Sequence, residues 1–179
     1  MSNQKGFLMN MQTCYGCQTC EIACKSENNL ARGVRWRRVR KLEIENPSSI
    51  STLSMSCNHC EKPECMRVCP AKAYSKRPDG VVVQDHARCL GCRMCIIACP
   101  YSAPSYDEKE GKVSKCNYCA SRIDKGLKPR CVEACPGNAM EAGDLEALRK
   151  QGNAQTIAGA PTPHISNPSI VIIPTKAVK

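Results

Sequence analysis

Sixteen of the 179 residues are cysteine, and they fall into four groups of four with none left over. Group one is Cys14, Cys17, Cys20 and Cys24, spaced C-x2-C-x2-C-x3-C, and group three, Cys89, Cys92, Cys95 and Cys99, repeats that spacing. Group two is Cys57, Cys60, Cys65 and Cys69, spaced C-x2-C-x4-C-x3-C; group four is Cys116, Cys119, Cys131 and Cys135, with a longer insert before its third cysteine. Proline follows the last cysteine of groups two, three and four, at Pro70, Pro100 and Pro136. Little else can build a core. The chain has one Trp, one Phe and five Tyr, and Leu, Ile, Val and Phe together number only 30. With a formal charge of +10, such a composition ordinarily marks a disordered chain. Disulfides or metal centres must therefore supply what apolar burial does not.

The spacing selects among those options. C-x2-C-x2-C-x3-C-P is the run of bacterial ferredoxins, in which three closely spaced thiolates hold one 4Fe-4S cube and the fourth ligates the cube of a partner motif. A tight loop wraps one corner of the cube and aims its N–H groups at sulfur, and the proline turns the chain away after the last ligand. A zinc-stabilised binding module would use two C-x2-C pairs set well apart, and has no use for three thiolates within seven residues and a remote fourth. A secreted disulfide scaffold would need a signal peptide, and bridges within such tight loops would be strained. Charge agrees. Each oxidised cube with its four thiolates carries about −2, so four of them bring the total down to roughly +2. The basic excess is then internal compensation, and a nucleic-acid partner is not expected.

The rest of the chain is lightly structured. No stretch approaches the roughly 18 to 20 apolar residues of a membrane span, and Met1 to Met9 shows neither a cleavage pattern nor a twin arginine, so no export signal is expected. Pro78-Asp79-Gly80 is a turn signal, and Val81 to Val83 reads as the returning strand of a hairpin that begins at Tyr74. Val34 to Glu45 reads as extended, its apolar residues Val34, Trp36, Val39, Leu42 and Ile44 interleaved with Arg35, Arg37, Arg38, Arg40 and Lys41. These cations, with Arg32, raise cluster potentials, dock a partner, or form a solvated face. Asp144 is placed to cap a short helix through Lys150. From Gly152 onward the Ala-, Pro- and Gly-rich tail lacks a core of its own; its Ile170 to Ile173 packs either on a partner or on the chain itself. Spacing leaves two pairings of the groups open: one with two and three with four, or two with three inside and one with four outside.

A family resemblance bears on that choice. The chain resembles, nearly end to end, the four-cluster, ferredoxin-like electron-transfer subunits of the dimethyl sulfoxide reductase family of complex iron-sulfur molybdoenzymes. The residues that carry it include Gly6-Phe7, Ser56-Cys57-Asn58-His59-Cys60-Glu61, Asp79-Gly80-Val81-Val82-Val83, Cys89-Leu90-Gly91-Cys92-Arg93-Met94-Cys95, Ala98-Cys99-Pro100-Tyr101, Lys115-Cys116 and Asn167-Pro168-Ser169-Ile170-Val171-Ile172. The resemblance implies nested pairing: Cys14, Cys17, Cys20 and Cys135 on one cube; Cys116, Cys119, Cys131 and Cys24 on its neighbour; Cys57, Cys60, Cys65 and Cys99 on a third; and Cys89, Cys92, Cys95 and Cys69 on a fourth. Cys92 stands where some relatives have Trp, so four 4Fe-4S clusters are expected.

The expected fold is α+β, irregular and loop-rich, with two bacterial-type ferredoxin units in a nested, pseudo-two-fold arrangement. Residues 1–45 and 101–150 form the outer unit, 46–100 the inner unit, and 151–179 an extended partner-binding tail. No catalytic residue is expected. His59 reads as a hydrogen-bond donor or a shield for sulfur, His86 and His164 as surface residues, and Tyr15, Tyr101 and Tyr118 as groups that keep water from the cubes. By resemblance, the partners are a molybdopterin-containing catalytic subunit and an integral-membrane quinol-oxidising anchor, with the half containing groups two and three toward the membrane. The location is then peripheral at the cytoplasmic membrane, on the periplasmic face by co-export with a twin-arginine partner, the cytoplasmic face being the alternative. The rival within redox chemistry is a polyferredoxin subunit of a formate dehydrogenase, hydrogenase or sulfur or arsenic oxyanion reductase complex.

Overall fold

The computed structural model describes residues 4–42, 51–152, 154–157 and 163–175. Along the chain run β1 (Lys5–Asn10), α1 (Thr19–Glu27), β2 (Arg38–Leu42), β3 (Ser51–Met55), α2 (Glu64–Arg67), β4 (Tyr74–Lys76), β5 (Val82–Gln84), α3 (Met94–Ala98), β6 (Ser105–Asp107) and β7 (Lys112–Ser114). There follow α4 (Ala120–Ile123), α5 (Arg130–Glu133), β8 (Met140–Asp144), α6 (Leu145–Arg149), a single 3-10 turn at Pro163–Ile165, and β9 (Ile170–Ile173). The architecture is α+β with short helices and small open sheets. Among the described residues no helix is long and apolar enough to cross a membrane.

The one three-stranded sheet has the order β8-β1-β9, with β8 antiparallel and β9 parallel to the central strand. Because β1 is paired on both edges and covered on both faces, Gly6 to Met9 is uniformly buried rather than alternating. Side chains still alternate in direction. Leu8 joins Leu145, Leu148 and Val171 on one face, where each fully buried aliphatic side chain stabilises by about 2 kcal/mol. Phe7 and Met9 join the opposite cluster, which holds Cys20, Cys57, Cys116 and Cys131. The sheet therefore stands between an ordinary leucine layer and a layer made largely of thiols. At Gly6 a Cβ would meet Leu145 Cδ1 and the Ser169 carbonyl oxygen, both at 2.8 Å, so glycine is what lets α6 and β9 close on β1.

Asp144 caps α6 as expected, its Oδ1 accepting from the N–H groups of Glu146 and Ala147 at 3.1 and 3.2 Å. The β4–β5 hairpin also forms, with Ser75 opposite Val83 and the Gly80 N–H donating to the Arg77 carbonyl at 2.9 Å. The extended segment after Val34 is shorter than the pattern suggests: the strand is Arg38–Leu42, paired antiparallel with β3, and Ile44 and Glu45 lie outside the described residues. The tail corrects an expectation. Ile170–Ile173 is consumed within the chain's own sheet, in register Phe7↔Ile170 to Asn10↔Ile173, and Ile170, Val171 and Ile172 are buried there. That strand is not free to pair with a partner, because β1 supplies the edge it needs.

Candidate metal centres

The four cysteine loops share one backbone solution. The residue two places after the first cysteine has positive φ in every group: Gly16 at 73°, His59 at 44°, Gly91 at 70° and Tyr118 at 61°. That turn directs an N–H at the first thiol, with His59 N, Gly91 N and Tyr118 N lying 3.5, 3.5 and 3.4 Å from the sulfurs of Cys57, Cys89 and Cys116. The segment after the last cysteine repeats as well. Lys72, Ser102 and Asn138, each three residues beyond a fourth cysteine, have φ of 48°, 49° and 46° and donate back to the carbonyls of Cys69, Cys99 and Cys135. Ala73 N and Ala139 N then reach the sulfurs of Cys69 and Cys135 at 3.4 and 3.3 Å. Such N–H groups stabilise charge on a ligating sulfur.

The loops converge in sets that cross between groups. One cavity is walled by Cys14, Cys17, Cys20 and Cys135, with Tyr15 and Gly16 at its mouth. A second is walled by Cys57, Cys60, Cys65 and Cys99, with Pro100, Tyr101 and Lys115. Cys24 lies within electrostatic reach of Cys116, Cys131 and Cys119. Cys69, Cys89 and Cys95 gather around Tyr74, Val82 and Val113, and Cys95 feels both Cys89 and Cys92. Consistently, α1 packs on α5 and α2 on α3. All sixteen thiols are free; Cys17 and Cys92 are the exposed ones.

These donors suit a bulky cluster. Among the described residues, no three His, Cys, Asp or Glu side chains come close enough together to grip one metal ion. A tetrahedral zinc would need its thiolates drawn onto a single point, whereas a 4Fe-4S cube needs them spread around a volume. Left to themselves the thiols resist ionisation: burial first, then neighbouring thiolates, pushes Cys60, Cys65 and Cys116 up to about 12, and Cys24 is raised in the same way. Ligation to a cation replaces that proton, so binding of the group and folding of the loops are one process.

The histidines and tyrosines divide. His59 is buried, and its ring accepts rather than donates, with Val82 N–H reaching Nδ1 at 3.1 Å. Burial and the nearby Lys115 charge hold its pKa well below the ordinary histidine value, so it is neutral. Its ring meets Tyr118 edge-on at 5.3 Å, and Tyr118 stacks on Phe7 at 4.4 Å while donating its hydroxyl to the Gly6 carbonyl at 2.6 Å. Tyr118 is buried, Tyr101 half-buried, and Tyr15 63% exposed, so Tyr15 forms an outer wall rather than an inner seal. His86 and His164 are exposed, as expected. Lys115 escaped the sequence reading: its ammonium is buried and donates to the carbonyls of Val82 and Cys116. Its place directly before Cys116 was the available signal.

Comparison with known proteins agrees with the site. Residues 49–145, spanning groups two to four, match the 4Fe-4S dicluster domain family. Over 97% of this chain and 90% of the relative, the sequence is 42% identical to the iron-sulfur subunit of anaerobic dimethyl sulfoxide reductase from Escherichia coli (strain K12). The chain belongs to the family of dimethyl sulfoxide reductase iron-sulfur subunits. Also similar are a tetrathionate reductase subunit of Salmonella typhimurium, 38% identical over 78% of this chain and 57% of the relative, and the thiosulfate reductase electron transfer subunit of Salmonella typhi, 36% identical over 82% and 79%.

Proposed function

We propose that the chain is a non-catalytic electron-transfer subunit that holds four 4Fe-4S clusters and relays single electrons between a membrane quinol-oxidising subunit and a molybdopterin catalytic subunit, as in an anaerobic dimethyl sulfoxide reductase. When bound, each cluster supplies a one-electron couple. The observation that carries the reading is the composition of the two cavities: each takes three thiols from one group and the last thiol of another, Cys135 with group one and Cys99 with group two. That exchange favours nested pairing, with the remaining thiols as Cys116, Cys119, Cys131 and Cys24, and Cys89, Cys92, Cys95 and Cys69. On this reading, residues 1–45 and 101–150 form the outer unit and 46–100 the inner one.

The chain's residues then have distinct duties. Loop N–H groups and the buried cations Arg37 and Lys115 stabilise negative charge on the sulfurs. Cys57 and Cys116, within electrostatic reach of each other, mark where the units exchange electrons, beside the His59 and Tyr118 rings that exclude water. Cys17 and Cys92 bring the two ends of the relay to the surface, in apolar surroundings: Tyr15 and Ile22 near one, Leu90 and Ile97 near the other, 63% to 78% exposed. Partner subunits docked over those ends would hold the chain at the membrane, on the periplasmic face.

Anaerobic purification followed by iron and sulfide analysis tests this directly. Four cubes require about 16 Fe and 16 sulfides per chain, together with a molybdenum-containing large subunit and a hydrophobic subunit in the same complex. A colourless zinc protein would overturn the cluster reading. A hydrogenase in place of the molybdenum protein would keep the wire and overturn its destination.

A further inference from the structure

The six basic residues around β2 are chemically alike in the sequence, and the fold treats one of them differently. Arg32, Arg35, Arg40 and Lys41 are exposed and Arg38 is half-buried, whereas Arg37 is 3% exposed. A buried guanidinium is costly unless an anion compensates it. Among the described residues no carboxylate does so: Nη1 donates to the Ser54 carbonyl at 3.2 Å and the Ser54 hydroxyl at 3.0 Å, Nη2 donates to the Ser56 hydroxyl at 2.9 Å, and the cation lies 5.1 Å from the centre of the Phe7 ring. The anions within reach are sulfurs. Burial works against the Arg37 charge, but Cys131, Cys20, Cys116 and Cys24 outweigh it and hold the guanidinium above its ordinary pKa. One link is explicit. Ser54 Oγ lies 3.3 Å from Cys20 Sγ, and because that oxygen already accepts from Arg37, its own hydrogen is free to point at the sulfur.

We propose that Arg37 is the built-in counter-charge of the cluster pair held by groups one and four, and that the Ser54 hydroxyl passes its influence to Cys20. The proposal rests on the cluster assignment above. Each reduction adds one electron to an already anionic centre, so a fixed cation beside four of the eight ligands favours the reduced state and raises the potentials of that pair. The bidentate grip on β3 positions the charge, and the exposed neighbours, screened by water, leave the centres unaffected.

The test compares wild type, Arg37→Gln, Arg37→Lys and Ser54→Ala in the assembled complex by iron and sulfide content and by potentiometric titration followed with electron paramagnetic resonance. With clusters retained, Arg37→Gln shifts two of the four steps downward, lowering the reduced-to-oxidised ratio at the original midpoint at least tenfold, equivalent to about 59 mV for a one-electron couple. The other two steps move less. Arg37→Lys, which keeps the charge, recovers most of the shift, and Ser54→Ala lowers a single step by a smaller amount. Full iron content with unmoved steps in Arg37→Gln overturns the proposal, as does a lysine variant that shifts as far as the glutamine one, because shape rather than charge would then be responsible. Should Arg37→Gln fail to assemble, Ser54→Ala decides: an unchanged titration overturns the proposal. Wild-type protein without four clusters refutes the underlying assignment instead, and the iron analysis separates that failure from the others.

Discussion

Groups one and three reach their left-handed loop position with glycine, and groups two and four reach the same position with an aromatic ring. Gly16 and Gly91 belong to the loops whose middle thiols, Cys17 and Cys92, are exposed; His59 and Tyr118 are 1% and 2% exposed and face each other. Left-handed backbone costs a non-glycine residue roughly 1–2 kcal/mol, and the fold accepts that cost twice, only where a ring fills the space between the two units. One loop design thus serves two purposes. With glycine it is a slim rim at the surface, where electrons meet partners; with an aromatic ring it is a dry wall in the centre, where they pass between halves.

The sharpest way to break this comparison is to give the slim loops a side chain. At Gly91 a Cβ would stand 2.0 Å from the Gly111 carbonyl oxygen, a backbone atom in the turn between β6 and β7, at a φ of 70°. Strain and overlap together predict a loss on the order of 4 kcal/mol for Gly91→Ala, read as early iron release in anaerobic denaturant titrations. At Gly16 the nearest atom is the Thr52 methyl at 2.8 Å, a side-chain group. Gly16→Ala should therefore lose about 2 kcal/mol, mostly conformational strain. Equal losses at the two sites would show that backbone strain alone, and not crowding, governs the rim.

What the sequence made legible follows from which constraints are local. Cysteine spacing is set by the geometry of wrapping a cube, the Pro78-Asp79-Gly80 turn by φ preferences, and the Asp144 cap by a side chain reaching two residues ahead, so all three are written in adjacent letters. The partner of Ile170–Ile173 is not, because a four-residue apolar run says it will be buried and nothing about which edge, 163 residues away at Phe7, will accept it. Arg37 was equally hidden. It stands among cations of the same kind, and only the pairing of β2 with β3, which brings Ser54 and Ser56 to its guanidinium, distinguishes it from Arg35 or Arg40.

The aromatic loops offer a milder test of the same comparison. Tyr118→Phe keeps the ring stacked on Phe7 and against His59 and removes only the hydroxyl, leaving the buried Gly6 carbonyl without that donor. A loss of about 1–1.5 kcal/mol is expected, with iron content intact and a melting midpoint lowered by a few degrees. A much larger loss would mean that the hydroxyl, and not the ring, justifies the strained backbone.

The smallest effect belongs to the surface seam between the units. Arg77, at the β4–β5 turn, grips Asp124 just after α4 at 2.5 and 3.1 Å and also pairs with Asp79 at 3.2 Å. The Arg77 hydrogen bond holds the Asp124 carboxyl below its ordinary range, so the stabilisation is present above the unfolded carboxylate pKa and is lost as pH falls through the folded one. Asp124 is half exposed, and salt screens such a pair. Asp124→Asn should lower the neutral-pH melting midpoint by less than Tyr118→Phe does, and the difference from wild type should shrink at high ionic strength and toward acid pH. A difference indifferent to both salt and pH would assign the seam to packing, leaving the rings of His59 and Tyr118, rather than any ion pair, as what joins the two halves.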